Sequence, residues 1–482
     1  MVVNDPKKQK WIAVSVAFAA LMCSLDIYIV NISLPTISHY FNCGLSKVSL
    51  IILSYLLVVT STMLIFGKLG DKIGLRKVFV WGYFFFVLGS FLCGLSVSIN
   101  MLIAARALQG IGGAMMYTTA FAIIPKFIPK SLTGWAFGIT GTAAGVGTAI
   151  GAPLGGFITN YFSWQWIFLI NVPVGIIAIL VARAVIPHEA VEDKKEKFTF
   201  DVPGAVLSFL FLVTLVCALN MGQEKGWGST LIVSLFVSSA LFFILFLIRQ
   251  KREKDPLIDL GIFKDLSFVN ANLANFMVFM LMAGANFLLP FYLEILKGLD
   301  ASKAGLVFMI FSVMYTITAP IAGRLSDSIA PRFLCIAATA SAVLCTIMFT
   351  FTMQVPGLLA VIIYLTWIGI SLGVFIAPNS SLVMNLAPYD KQGSASAVFR
   401  TITNLGLMLG VCVFESVFSQ KTGIAESSLA SSAVSNDMLI SGFRGAFIVG
   451  ICVCVLALVF SILVKKIPLD KYRKEQEEEV FI

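Results

Sequence analysis

The chain has 482 residues, of which 59% are hydrophobic and only 12% charged, with a mean hydropathy of +0.95 and a formal charge of +9. A soluble globular protein carries about 25% charged residues, so this composition excludes one and points to an integral membrane protein. The positive excess could mark an acidic partner, but its distribution between loops argues for topology instead.

Backbone polar groups inside lipid must be satisfied within their own segment, so the apolar runs are predicted to be helices. A run of about 20 residues crosses a bilayer core of about 30 Å, and fourteen such spans are expected. The predicted order is a short N-terminus (1–10), a six-helix bundle (11–184), a linker (185–201) and an inserted helix pair (202–248). A second linker (249–267), a second six-helix bundle (268–464) and a charged tail (465–482) complete it. Most of the 34 Lys and Arg fall in inside loops if both termini are cytoplasmic. The first run follows Lys7, Lys8 and Lys10 and lacks a small-residue cleavage site, so no cleavable signal peptide is expected. The nine Cys show no ligand spacing and read as small hydrophobes; Cys452-x-Cys454 is too weak a pair for a metal or redox site.

In the first span, at 100° per residue, Ser15, Met22, Asp26 and Ser33 fall on one stripe, with Asn31 well round the helix. A carboxylate deep in a span should face a cavity or a partner. Two readings of Asp26 stand: a satisfied Asp bonded to a neighbouring helix, or a group that titrates. Between the second and third spans runs Gly67-Lys68-Leu69-Gly70-Asp71-Lys72-Ile73-Gly74-Leu75-Arg76-Lys77. A weaker copy, Gly323-Arg324-Leu325-Ser326-Asp327-Ser328-Ile329-Ala330-Pro331-Arg332, recurs in the second half. The glycines allow a tight turn, and the charges place a carboxylate among cations at the membrane face.

The first copy resembles the G-x-L-x-D-R/K-x-G-x-R/K-R/K loop of the major facilitator superfamily, with Gly70 where Ser or Ala is usual and Leu75 where Arg is frequent. The resemblance implies a fold of two pseudo-symmetric six-helix bundles. It also implies a gating loop built on Gly67, Asp71, Gly74, Arg76 and Lys77, with Asp327 and Arg332 as its second copy. Leu25-Asp26-Ile27-Tyr28-Ile29-Val30-Asn31-Ile32-Ser33-Leu34-Pro35 resembles the L-D-x-x-I-V-N-x-x-L-P signature of the fourteen-helix drug:proton antiporters.

In the fourth span Arg106-Ala107-Leu108-Gln109-Gly110 is similar to the family's R-x-x-Q-G motif, whose Arg is linked to proton coupling. A permanent guanidinium in a span needs an acceptor; the alternative is that Arg106 snorkels to the nearby outer face. The fifth span sets Gly147, Gly151, Pro153, Gly155 and Gly156 at spacings that let helices touch backbone to backbone. It resembles the antiporter motif G-x-x-x-G-P-x-x-G-G, with Ala152 at the expected Pro position. The sixth opens on Trp164-Gln165-Trp166-Ile167-Phe168-Leu169-Ile170-Asn171-Val172-Pro173, an interfacial tryptophan pair. As a string it is similar to the W-R-W-I-F-x-I-N-x-P-x-G of the EmrB/QacA type, with Gln165 replacing Arg.

The ninth span places Asn272, Asn275, Phe279, Met282 and Asn286 on one face. Any one Asn reads as helix–helix glue; together they read as cavity lining. Glu294 near its outer end is either a solvated rim acid or a coupling residue. In the thirteenth span Asn404, Met408, Val411 and Glu415 share a face, and Glu415 reads either as an outer polar cap or as a second protonation candidate.

The leading expectation is a secondary transporter with alternating access that exports amphipathic or cationic compounds in exchange for protons. Asp26, Glu415, Arg106 and Glu294 are the charge candidates; Met22, Asn31, Gln109, Asn272, Asn275, Met282, Asn286, Asn404 and Met408 are the cavity candidates. The alternative is a narrow exporter of one metabolite, antibiotic or lipid-like compound. An enzyme is disfavoured: His39 and His188 read as loop residues, and no phosphate loop or metal cluster is present. No cofactor or metal is expected, the proton gradient being the driver. The expected partners are a small-molecule substrate, protons and the lipid bilayer, with no nucleic acid, for a monomer in the cell membrane.

Overall fold

The structure, a computed structural model, describes residues 3, 5–188, 201–253, 260–326, 328–387, 392–422 and 436–465. Among them fourteen segments are helical, long and apolar enough to cross a membrane, and no strand is present. This is an all-α integral membrane protein. The helices are α1 Pro6–Phe41, α2 Leu45–Ile73, α3 Leu75–Gly94, α4 Ile99–Phe127, α5 Lys130–Tyr161, α6 Trp166–Leu169, α7 Asn171–Val185, α8 Val202–Lys225 and α9 Thr230–Arg252. They continue with α10 Leu266–Phe291, α11 Ala301–Leu325, α12 Pro331–Thr352, α13 Leu359–Leu386, α14 Gln392–Thr422 and α15 Asn436–Leu463.

Local chemistry moves several expected boundaries. α1 exceeds the expected 11–36 at both ends. Pro6 sits in its first turn, Asp5 Oδ1 accepts from Lys7 N at 2.9 Å, and Asn42 ends it at φ 48°. His39 therefore lies in a helical turn and not in a loop. The charged stretch expected as a loop is helical as far as Ile73, because only one residue is needed to reverse the chain. Gly74, at φ 101°, caps α2 and starts α3, a conformation an L-residue rarely adopts. The sixth span is broken into α6 and α7 at Ile170, just ahead of Pro173.

Two compact units can be distinguished, and they interleave along the chain. The first takes the described residues of Met1–Leu257 and Leu289–Met309; the second takes those of Ile258–Leu288, Ile310–Thr422 and Ser435–Ile482. In the first, α1 packs mainly on α5, α4 on α2 and α3, and α3 on α7. The fit of α1 on α5 follows from the glycine stripe. A Cβ at Gly147 would meet Leu21 O at 2.6 Å, at Gly151 Leu25 O at 3.1 Å, and at Gly155 Ile29 O at 2.7 Å. One turn on, Ser33 Oγ and Thr159 Oγ1 lie 2.7 Å apart. In lipid such close packing supplies the association energy, since tails and Leu are equally apolar.

α8 and α9 pair with one another and rest on α2. Asn220 Nδ2 reaches Ser46 O at 3.0 Å and Ser49 Oγ at 2.9 Å in the first turn of α2. At the other end Asp201 closes the pair. It accepts from Gly204 N at 3.0 Å, Arg249 Nε at 2.9 Å and Gln250 Nε2 at 2.7 Å.

In the second unit α12 packs on α13 and α15, and α14 on α15. Phe349 stacks on Tyr364 at 4.3 Å between ring centres and meets Phe447 edge-on at 4.9 Å.

Candidate functional site: a buried ion pair and its amide collar

Asp26 and Arg106 were singled out from the sequence separately; the fold brings them together. Arg106 Nη1 donates to Asp26 Oδ2 at 2.6 Å, and the two side chains are 0% and 1% exposed. The snorkelling alternative for Arg106 is thereby ruled out. Gln109, one turn along α4, donates through Nε2 to Asp26 Oδ1 at 2.8 Å and to Ser90 Oγ at 2.8 Å. Its Oε1 accepts from Arg106 Nη1 at 2.5 Å. Asn171, the first residue of α7, donates to Asp26 Oδ1 at 3.2 Å. Arg106 also donates through Nε to Ile51 O at 3.2 Å, and its guanidinium lies 4.4 Å from the centre of the Tyr55 ring.

Sequence reasoning missed Tyr55, Ser90 and Asn171. Asn171 was visible only as one letter in a tryptophan-anchored string. Tyr55 and Ser90 carried no signal, because their role depends on neighbours from other helices.

The carboxylate bonds α1 to α4 and α7 directly, and Arg106 and Gln109 carry the cluster on to α2 and α3. Stripping either charge of its partner leaves the other buried and uncompensated, a cost of about 3–5 kcal/mol. The arrangement satisfies the carboxylate fully, as the static reading of Asp26 required.

The remaining candidates stand apart. Met22 and Asn31 are buried on α1, and Asn31 Oδ1 has no hydrogen-bond partner. Gly156 and Pro153 of α5 lie against the first turns of α11: a Cβ at Gly156 would strike Ala301 O, and one at Gly305 would come within 3.2 Å of Pro153 Cα. Of the gating residues, Arg76 Nη2 donates to the Arg183 carbonyl at the end of α7, and Arg332 Nη2 donates to Ile462 O at 2.8 Å at the end of α15. Each guanidinium thus meets the negative end of a helix. Lys77 is exposed and Gly67 faces open space. Asp327 and the side chain of Asp71 lie outside the described residues.

In the second unit Asn275 Nδ2 donates to Thr403 Oγ1 at 2.7 Å, and Asn379 Nδ2 approaches Asn275 Oδ1 at 3.5 Å. Asn272 turns back on its own helix, donating to Phe268 O at 2.8 Å. Asn286 and Met408 are buried, while Met282 and Asn404 are half-buried. Glu415 is fully buried and accepts from Ser419 Oγ at 2.7 Å. Glu294 belongs to the first unit and lines a separate cavity with residues of α1.

The sequence pattern of the Major Facilitator Superfamily matches residues 16–411. The chain is 34% identical over 414 residues to the riboflavin transporter RibZ of Clostridioides difficile (strain 630), covering 86% of this chain and 89% of that one. It is 30% identical over 438 residues to multidrug resistance protein 3 of Bacillus subtilis (strain 168), covering 88% and 83% respectively. The fold is similar to that of a bacterial homolog of the human lysosomal transporter Spinster, solved inward-facing and occupied. The TM-score is 0.70 at 13% identity, over 97% of this chain and 99% of that one. This chain belongs to the Major Facilitator Superfamily and is a transporter, not an enzyme.

Proposed function

We propose that the protein is a proton-coupled antiporter of the cytoplasmic membrane that exports amphipathic organic compounds, with residues 1–10 and 465–482 on the cytoplasmic side. The observation that carries this reading is the Asp26–Arg106 pair, fully buried and tied to five helices. Loading Asp26 with a proton releases Arg106 from its counter-charge and loosens the collar formed by Gln109 and Asn171. Unloading it rebuilds the collar. Glu415, buried beside Ser419, is the second acid proposed to exchange a proton or meet a substrate charge. Cycling between two sets of helix contacts in this way links proton movement to access. No cofactor is required, and a monomer is sufficient.

The relative named a riboflavin transporter favours a second reading, a narrow carrier of one aromatic metabolite on the same scaffold. One experiment addresses both. Purified protein in proteoliposomes with an imposed pH gradient is offered a panel of cationic dyes and riboflavin, while a pH-sensitive dye follows proton release. Broad uptake with proton release supports drug exchange, and transport of riboflavin alone supports the narrow carrier. Asp26→Asn should abolish proton release; if that variant still drives uphill transport, the proton assignment is wrong.

A further inference from the structure

In the first unit α3 and α7 lie antiparallel, and two contacts fix how they face one another. A Cβ at Gly175 would strike Val87 Cγ2, so these two residues mark the seam. Arg76 Nη2 donates to the Arg183 carbonyl, which sets the first turn of α3 beside the last turn of α7. Counting 100° per residue from Val87, Lys77, Trp81 and Phe84 turn to one side of the pair. Counted from Gly175, Arg183, Leu180 and Ile176 turn to the same side. All six are exposed, Trp81 by 52% and Leu180 by 62%, whereas Phe79, Phe86 and Ser90 on the opposite side of α3 are buried. No step of the proton exchange involves this face.

Lys77 and Arg183 thus stand at one end of an apolar seam. Among the described residues no carboxylate is paired with either. Seven residues of each helix, about 10 Å at 1.5 Å per residue, carry the seam away from them. Trp81 and Phe84 form one wall, and Leu180 and Ile176 the other. That depth is within one leaflet of a bilayer core of about 30 Å. Trp81 is braced by Phe84 and Phe85, with ring centres 5.3 and 6.0 Å away. One turn from the helix end, it is placed where Trp meets headgroups.

Whatever covers this face must be apolar along the seam and anionic at its end. A second copy of the chain fails the second condition, because a two-fold axis along the membrane normal would gather the cations of both copies at one end of the interface. A soluble acidic protein could reach the cations but not the seam between two membrane spans. We infer that the seam binds an anionic phospholipid, its phosphate between Lys77 and Arg183 and an acyl chain along Trp81, Phe84, Leu180 and Ile176. Basic positions between membrane helices hold anionic headgroups in this way. The bound lipid joins the same two helix ends that Arg76 ties through the Arg183 carbonyl.

The test is tryptophan quenching of the full chain in detergent by phosphatidylglycerol with brominated acyl chains. Brominated phosphatidylcholine, with the same chains and no net headgroup charge, is the reference, and Trp81→Phe isolates the Trp81 signal by difference. Phosphatidylglycerol should quench Trp81 at about tenfold lower concentration than phosphatidylcholine. Lys77→Gln combined with Arg183→Gln should abolish that preference and leave phosphatidylcholine unchanged. Lys7→Gln combined with Lys8→Gln, which removes two cations from α1, should keep it. Leu180→Asn spares both cations and should weaken quenching by phosphatidylglycerol. Soluble glycerol phosphate at the same concentration should not relieve the quenching, and unfolding midpoints establish that the variants are folded. Equal quenching by the two lipids, a preference that survives loss of Lys77 and Arg183, or one that falls as far in the α1 variant would overturn the site. Unchanged quenching in Leu180→Asn, or relief by glycerol phosphate, would overturn it too, since the chain would then have no part in binding. A dimer in light scattering that Trp81→Ser dissociates would assign the face to a second copy and overturn the lipid site.

Discussion

The two six-helix halves use the same backbone contacts and fill them with opposite chemistry. Gly147 and Gly151 seat α5 on the carbonyls of Leu21 and Leu25, and Gly406 and Gly410 seat α14 on those of Phe276 and Met280. That register aligns Asp26 with Leu281. Gly110 lies against Tyr55 O and Val58, and Gly369 against Phe311 O and Met314, which aligns Tyr55 with Phe311, Arg106 with Leu365 and Gln109 with Ile368. The arginine caps at Arg183 and Ile462 align Asn171 with Gly450. A Cβ at Gly450 would lie 3.2 Å from Leu281, just as Asn171 meets Asp26. The first half therefore holds a carboxylate, a guanidinium and two amides where the second holds Leu281, Leu365, Ile368 and Gly450, all buried. The glycine contacts recur in both halves, whereas this polar set is present in the first and replaced by apolar residues in the second.

The largest effect should come from making the first half resemble the second. Asp26→Ala leaves Arg106 buried without its counter-charge and should lower stability by about 3–5 kcal/mol, read by thermal unfolding in detergent. Asp26→Leu combined with Arg106→Leu copies Leu281 and Leu365, and should recover most of that loss while proton release stays absent. A double variant as unstable as the single one would show that the pair holds the bundle together, and the comparison would fail.

An intermediate effect separates packing from charge. Gly151→Val and Gly410→Val each push a side chain onto a backbone carbonyl in equivalent crossings and should each cost about 1–3 kcal/mol. Only Gly151→Val displaces the helix that carries Asp26. It should also shift the pH dependence of proton release, whereas Gly410→Val, which displaces α14, should shift that profile only to the extent that Glu415 exchanges a proton. A shift for Gly410→Val as large as that for Gly151→Val would put Glu415 on a par with Asp26 in the proton step, and no shift for Gly151→Val would remove Asp26 from it.

The architecture was legible because each span declares itself by length and apolarity, and the glycine spacings of α5 announced a backbone-to-backbone fit, which the fold gives to α1. Asp26, Arg106 and Gln109 stood out as polar groups in apolar runs. Their meeting did not, because Asp26 and Arg106 are 80 residues apart and their adjacency depends on the angle at which α1 crosses α4. Asn171 was hidden for the same reason, and its string read as an interfacial anchor. The run from Lys68 to Lys72 read as a loop from its charge, yet charged residues continue a helix readily once it has left the lipid, and only Gly74 breaks it. Glu294 carried its acid openly, but the cavity beside it arises from α1 and the π turn Tyr292–Leu296 together.

The smallest effect concerns α8 and α9, which have no counterpart in either set of six and are bonded to α2 through Asn220. Their closing residue, Asp201, precedes the membrane span. Burial pushes its carboxyl upward, but donors from Arg249, Gly204 and Gln250 outweigh burial and hold it below the usual carboxylate range. A carboxylate with a lowered pKa contributes stability that is present above its unfolded value and lost as pH falls through the folded one. Amide protection in the first turn of α8, taken relative to the intrinsic exchange rate at each pH, should therefore stay high at neutral pH and fall only on acidification below the ordinary Asp range. Asp201→Asn should be less protected at neutral pH and show no acid-dependent loss of protection. Exchange in the first turn of α2, which answers to Asn220 at the other end of α8, should not follow it. If α2 loosens in step with α8, the helix pair is part of the first bundle's own stability and not a separable addition to it.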